Sequence, residues 1–323
     1  MTPQHPSTWL VALVASLAMS NSVAAEPPPP CDALYYGIDR KVDLAAAHAC
    51  YARVGDHEML ALMAANGEGT PRDLDRAREE ARLAVKGSSN PQGQQADALV
   101  SAIERQAGTS AAKALAYCDD VARADDALNR CAWIRLGVDS TRHDATLDAM
   151  AAKLTPPSVR ALAALRTTVR LLRTAENARG QLKYHQGSLS VRMGIAHEAS
   201  VLDAFVTLVT EVIARAQPAW TAQELATARA ELAASAKRDL ADFAGAHPTR
   251  DPDPTQRALM KRHVGDYRRA SADCATRWTE LEAGLRAFAI ATHGPAGADP
   301  LANVAVDLCT ARRMLLDLRG DGE

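Results

Sequence analysis

Apolar positions along this chain recur at spacings of three and four, and no stretch sustains the strict alternation of a half-buried strand. Val159, Leu162, Leu165, Val169 and Leu172 form one such stripe. A longer one runs through Met260, Val264, Tyr267, Ser271, Cys274, Trp278, Leu281, Leu285 and Phe288, and Leu301, Val304, Leu308, Ala311, Leu315 and Leu318 repeat the device. Such seams place apolar side chains on one face of a helix and pack helices at small crossing angles. The pattern predicts an all-α chain, with short helical hairpins first and antiparallel helical bundles after them. Punctuation agrees. Pro156 and Pro157 end the helix before them, Thr221 and Glu224 make a capping box, and the two prolines of residues 249–254 mark a loop. A Gly-, Ala- and Pro-rich stretch, residues 292–300, joins the last two helices.

Residues 59–78 are the most informative segment. An apolar helix runs into Asn66-Gly67-Glu68-Gly69, after which Pro71 is predicted to open a second helix with alanines facing inward. Glycine supplies positive φ, proline suits a first helical position, and alanine lets two helices touch. A phosphate or calcium loop is disfavoured, because no strand, Gly-Lys-Ser/Thr triplet or series of oxygen ligands accompanies the glycines.

Composition adds compartment and charge. Residues 1–25 hold a short apolar core, Trp9 to Met19, and end in Ala24-Ala25 before Glu26. That suits a signal peptide with cleavage at Glu26, or an uncleaved anchor; it is too short for a bilayer span, which takes about 20 residues. No later segment reads as spanning length. The 37 Lys and Arg against 39 Asp and Glu leave a net charge of −2, too balanced for nucleic acid or an anionic membrane surface. All six cysteines follow residue 25, which fits an oxidising compartment, periplasmic or secreted. Their locations suggest three local bonds: Cys31 with Cys50, Cys118 with Cys131, and Cys274 with Cys309. On one straight helix Cys118 and Cys131 would lie about 20 Å apart, beyond the roughly 7 Å that a disulfide tolerates, so a turn is needed near Ala124-Asp125-Asp126. For Cys274 to meet Cys309 the helix carrying Cys274 must end early or bend, and Gly284 is the predicted place. No Cys-x-x-Cys occurs, so neither zinc nor a dithiol centre is indicated.

Two resemblances organise the chain. Residues 26–110, on the strength of the segment 59–78 and of the helix 43–51, resemble a Sel1-like repeat module, a relative of the tetratricopeptide unit; the resemblance implies a binding scaffold without chemistry. Fewer repeats are present than the roughly three that bury a continuous core, so the module is expected to lean on the Cys31–Cys50 bond and on the next domain. Residues 115–215 and 219–320 resemble two diverged copies of the domain named after the lysozyme inhibitor LprI. The first copy carries Cys118, Cys131 and Gly187-Ser188. The second carries Tyr267-Arg268, Cys274, and Cys309 followed by Arg312. Lys261 and Val264 stand where that family has Gln and Trp, and Arg269 where it has an acid. This second resemblance implies lysozyme inhibition.

Catalytic patterns are incomplete. His197-Glu198 begins a metalloprotease helix, but position 201 is Val; His185 and His197 lack a third ligand; no Gly-x-Ser-x-Gly or phosphate loop occurs. The pairs Asp119-Asp120 and Asp125-Asp126 sit near helix ends, where capping is their ordinary role. No enzyme activity and no cofactor is expected. Arg262, Arg268, Arg269 and Arg277 cluster on the polar side of the 256–291 helix, either a docking surface for a carboxylate-bearing partner or a solvated face. Trp220 is either an exposed aromatic anchor or a helix-start staple. The expectation is a partner-binding scaffold of the bacterial cell envelope, with lysozyme inhibition as the alternative.

Overall fold

The computed structural model describes residues 30–86, 93–107, 114–184, 188–214 and 254–294, with Thr227, Ala230 and Ala234. Every regular element among them is helical, so the chain is all-α. In order these are α1 (Pro30–Tyr36), α2 (Leu44–Val54), α3 (His57–Asn66), α4 (Leu74–Lys86), α5 (Gly93–Ala107), a π-helical turn at Tyr117–Val121, α6 (Asp125–Ala151), α7 (Pro156–Lys183), α8 (Ser188–Ala214) and α9 (Pro254–His293).

Short polar caps set the first helices. The carboxylate of Asp43 accepts from the Ala46 amide, and that of Asp56 from the Met59 amide, satisfying donors that a helix start leaves unpaired. Gly55 and Gly67 close α2 and α3 at φ of 71° and 77°. Gly69 has a second reason to be glycine: at φ +68° its missing Cβ would lie 2.3 Å from the Leu44 carbonyl oxygen. Pro71 does not open the next helix as its position suggests. α4 starts at Leu74 because Asp73 caps it, accepting from the amides of Asp75 and Arg76 at 3.0 Å, and Pro71 lies in the non-helical approach.

α3 is the hub of the N-terminal half. Met59 through Ala65 are each at most 5% exposed, so this helix has no solvent face over two turns, and α2, α4 and α5 all pack on it. The core around it runs from Cys31 to Cys131, taking in the π turn and the first turns of α6. A second core joins Leu147 on α6 to Leu162, Leu165, Val169 and Leu172 on α7, Phe205 and Leu208 on α8, and Trp278, Leu285 and Phe288 on α9. α6 thus contributes its beginning to one core and its end to the other. Tyr267, Cys274, Trp278, Leu281, Leu285 and Phe288 are buried as their seam predicts, whereas Val159, at 38% exposed, falls off the α7 stripe. α9 does not end at Gly284; it runs on to His293, and the absent Cβ admits Leu165, whose Cδ2 would otherwise be 2.7 Å away. Leu189–Ala214 of α8 is, against expectation, long and apolar enough to cross a membrane by length and composition; here it packs on α6 and α7 with half of it buried.

A polar node crosses the second core. The Glu176 carboxylate accepts from the Trp278 indole N–H at 2.8 Å and from Arg179 Nε at 2.8 Å, with His197 Nδ1 3.6 Å away. Burial works to raise the Glu176 pKa, but the Arg179 charge, the nearby His197 ring and the hydrogen bonds from Trp278 and Arg179 outweigh it and hold the carboxyl down at about 2. One turn along, Glu198 pairs with Arg173 and accepts from Asn177. The helices approach closely here because Gly180 and Gly194 meet: a Cβ on Gly180 would lie 3.0 Å from the Gly194 Cα.

Candidate partner-binding site

The segment leading into α6 lies across α3 and α5 and is held there by its main chain. Residues 114–116 are non-helical, and Ala116 is extended at φ −99° and ψ 123°. Asn66, the last residue of α3, grips Leu115 from both sides: its Nδ2 donates to the Leu115 carbonyl at 2.9 Å and its Oδ1 accepts the Leu115 N–H at 2.8 Å. Gln106 of α5 donates to the same Oδ1 at 3.3 Å and so orients the amide. At the far end, Oε1 of buried Gln95 accepts from the amides of Arg123 and Ala124 at 2.7 and 3.2 Å. Between these grips the Tyr117 hydroxyl donates to Glu58 of α3 at 2.8 Å. Burial is the main cause that raises the Glu58 pKa, and burial likewise raises that of Tyr117. Two amides and one carboxylate on α3 and α5 therefore read an extended backbone and one aromatic side chain.

Behind the segment sits Arg130. Its Nε and one terminal nitrogen donate to the two oxygens of the fully buried Asp32 at 3.0 and 2.6 Å, while the other terminal nitrogen lies 2.7 Å from Asp56. The guanidinium stands over the rings of Tyr51 and Tyr117, 5.7 and 5.2 Å from their centres, and Tyr51 donates its hydroxyl to Asp32 at 2.6 Å. Burial disfavours charge on Arg130, but the hydrogen bond to Asp32 and the fields of Asp56 and Asp32 prevail and raise its pKa further. Burial, then the Asp32 charge, raise the Tyr51 pKa. These groups are neutralised or bonded within the fold, an arrangement suited to holding surfaces in place.

The disulfides deliver that cluster. Cys31 is bonded to Cys50 and Cys118 to Cys131, each with Cα atoms about 5.5 Å apart. The turn needed between Cys118 and Cys131 is present, since the π turn ends at Val121 and α6 begins at Asp125. Asp32, Tyr51, Tyr117 and Arg130 are the chain neighbours of the four bonded cysteines, so both bonds point their neighbours at one place. Cys274 is buried on α9; its predicted partner Cys309 lies outside the described residues.

Of the other residues singled out by sequence, Arg262, Arg268 and Arg269 are exposed on α9, and Arg269 is ion-paired with Asp266. Arg277 is tied to Asp273 and Glu280 along its own helix. Asp119 and Asp120 lie within the π turn, and Asp125 and Asp126 begin α6. Trp220 and His185 lie outside the described residues, and the structure brings none of the α9 arginines to the Asn66 site. Among the described residues no three His, Cys, Asp or Glu side chains are grouped to hold a metal ion. Asn66, Gln95, Glu58, Asp32 and Arg130 escape sequence reading. Asn66 reads as a turn residue, and the signal at hand for Asp32 and Arg130 is their position beside cysteines. Comparison with protein-family models, with curated proteins and with solved structures found no match to this chain.

Proposed function

We propose that this chain is an exported protein of the bacterial envelope, periplasmic or secreted, that holds a protein or peptide partner on its N-terminal helical module and performs no chemistry of its own. What supports the reading is the pair of side-chain amides, Asn66 and Gln95, gripping extended main chain on α3 and α5. Recognition through main-chain groups takes its affinity from the backbone and leaves side-chain identity to a few neighbouring pockets, which suits a scaffold. The two disulfides suit an oxidising compartment, the apolar start of the chain offers the export route, and the Sel1-like resemblance points to the same role.

The test has two parts. N-terminal sequencing of protein from its native host is expected to begin at or near Glu26, on material outside the cytoplasm. Photo-crosslinkers placed along α3 and α5 of the mature protein are expected to trap a discrete envelope protein reproducibly. Retention of Met1 on soluble cytoplasmic material, absence of any adduct, or hydrolysis of a peptidoglycan suspension by the protein alone overturns the proposal. Slowed lysis of that suspension by added lysozyme would instead favour the inhibitor alternative.

A further inference from the structure

We infer that the Asn66–Glu58 end of the backbone-reading face is self-occluded: residues 114–117 occupy it as a resident competitor, and an extended peptide with an aromatic residue two places after the gripped one takes their place. This rests on the scaffold reading above and adds to it the kind of partner and how access is controlled. Three observations carry it. The contact at Leu115 is made through both main-chain groups, so Asn66 grips any extended residue other than proline equally well. The aromatic follows because Glu58 sits where a hydroxyl two residues on meets it, as Tyr117 does now. The Cys118–Cys131 bond fixes the limit of what moves, since it fastens everything from Cys118 onward to α6 and leaves the residues before it held by noncovalent contacts.

A tethered occupant competes at a high effective concentration, so a free peptide binds weakly until the tether's own grip is loosened. Two substitutions then act with opposite sign. Leu115→Pro removes the N–H that Asn66 accepts and leaves the face intact, so an added peptide binds more tightly. Asn66→Ala removes the grip for resident and newcomer alike, so binding is lost. A merely structural role for Asn66 and Leu115 gives no gain in either variant.

The probe is a fluorescein-labelled peptide copying residues 114–120 with Cys118→Ser, followed by anisotropy on the oxidised full-length mature protein. Loss of one hydrogen bond in the resident segment is expected to tighten the Leu115→Pro complex about five- to tenfold over the native protein. Asn66→Ala is expected to show no saturable binding, and a peptide in which the Tyr117 position is Ala is expected to bind every variant more weakly. Hydrogen exchange on the native protein provides a check that needs no variant: saturating peptide is expected to speed exchange at the Leu115 amide. No tightening in a helical Leu115→Pro variant, equal binding of the peptide with Ala at the Tyr117 position, or an unchanged Leu115 amide overturns the inference. An envelope partner trapped equally by native protein and Asn66→Ala overturns it too, while leaving the scaffold reading in place.

Discussion

Asp32 and Arg130 stand 98 residues apart in the chain and are joined by two hydrogen bonds, with the Asp32 side chain sealed from solvent. A buried ion pair is weak evidence of net stability, because desolvating two charges offsets most of their attraction. Losing one partner is another matter. Arg130→Met is expected to strand Asp32 and Asp56 and to lower unfolding free energy by about 3–5 kcal/mol in urea titrations. Arg130→Lys should recover little, since an ammonium lacks the planar fork that meets both Asp32 oxygens while lying over the Tyr51 and Tyr117 rings. Full stability in Arg130→Lys would show that charge alone suffices.

The two bonds that flank this pair should not act independently. Closing loops of 19 and 13 residues is worth about 3 kcal/mol each on the chain-entropy account. Cys31→Ser/Cys50→Ser and Cys118→Ser/Cys131→Ser each also free neighbours of Arg130, so the quadruple variant is expected to lose less than the sum of the two, a coupling that denaturant midpoints will read. Peptide mapping without reductant is expected to recover both bonds.

The helical class and two of the three expected local disulfides were legible because both are short-range properties. Periodicity near 3.6 needs only neighbours, and the turn between Cys118 and Cys131 follows from reach along the chain. The Asn66 and Arg130 sites are assembled from residues 49, 59 and 98 positions apart, and no period or motif marks such pairs in advance. Local grammar also misleads where tertiary contact decides. The reach from Cys274 to Cys309 asks the helix to end or bend at Gly284, which proves to be a contact point for Leu165 in a helix that runs on to His293, while Pro71 reads as a helix start that Asp73 supplies instead.

Glycines on the long helices should separate by what a methyl group meets. At Gly194 a Cβ would fall 2.7 Å from the Asn177 carbonyl oxygen and 2.5 Å from Gln181 Cγ, so Gly194→Ala must push α8 off α7. A loss of about 1–3 kcal/mol is expected, as for other overpacked sites. Gly265 on α9 has nothing nearer than Arg269 at 3.6 Å, so Gly265→Ala is expected to gain up to about 1 kcal/mol from helix propensity. Thermal melts of the two variants should therefore move in opposite directions.

The Glu176 node predicts how acid unfolds the bundle. Its carboxyl titrates at about 2 in the fold against 4.5 ordinarily, because the Arg179 charge, the nearby His197 and the hydrogen bonds from Trp278 and Arg179 outweigh the burial that opposes ionisation. A depressed carboxyl binds its proton more weakly in the folded chain than in the unfolded one. Its contribution is therefore complete above about pH 4.5 and disappears as the pH falls toward 2. The difference corresponds to about 3 kcal/mol over that window. Unfolding free energy measured from pH 6 to pH 2 should drop steeply below pH 4.5 in the native protein. In Glu176→Gln, whose amide can still accept from the Trp278 indole, the starting stability should be lower because Arg179 loses its counter-charge. The slope below pH 4.5 should flatten. Parallel curves for the two proteins would place the acid sensitivity elsewhere in the chain.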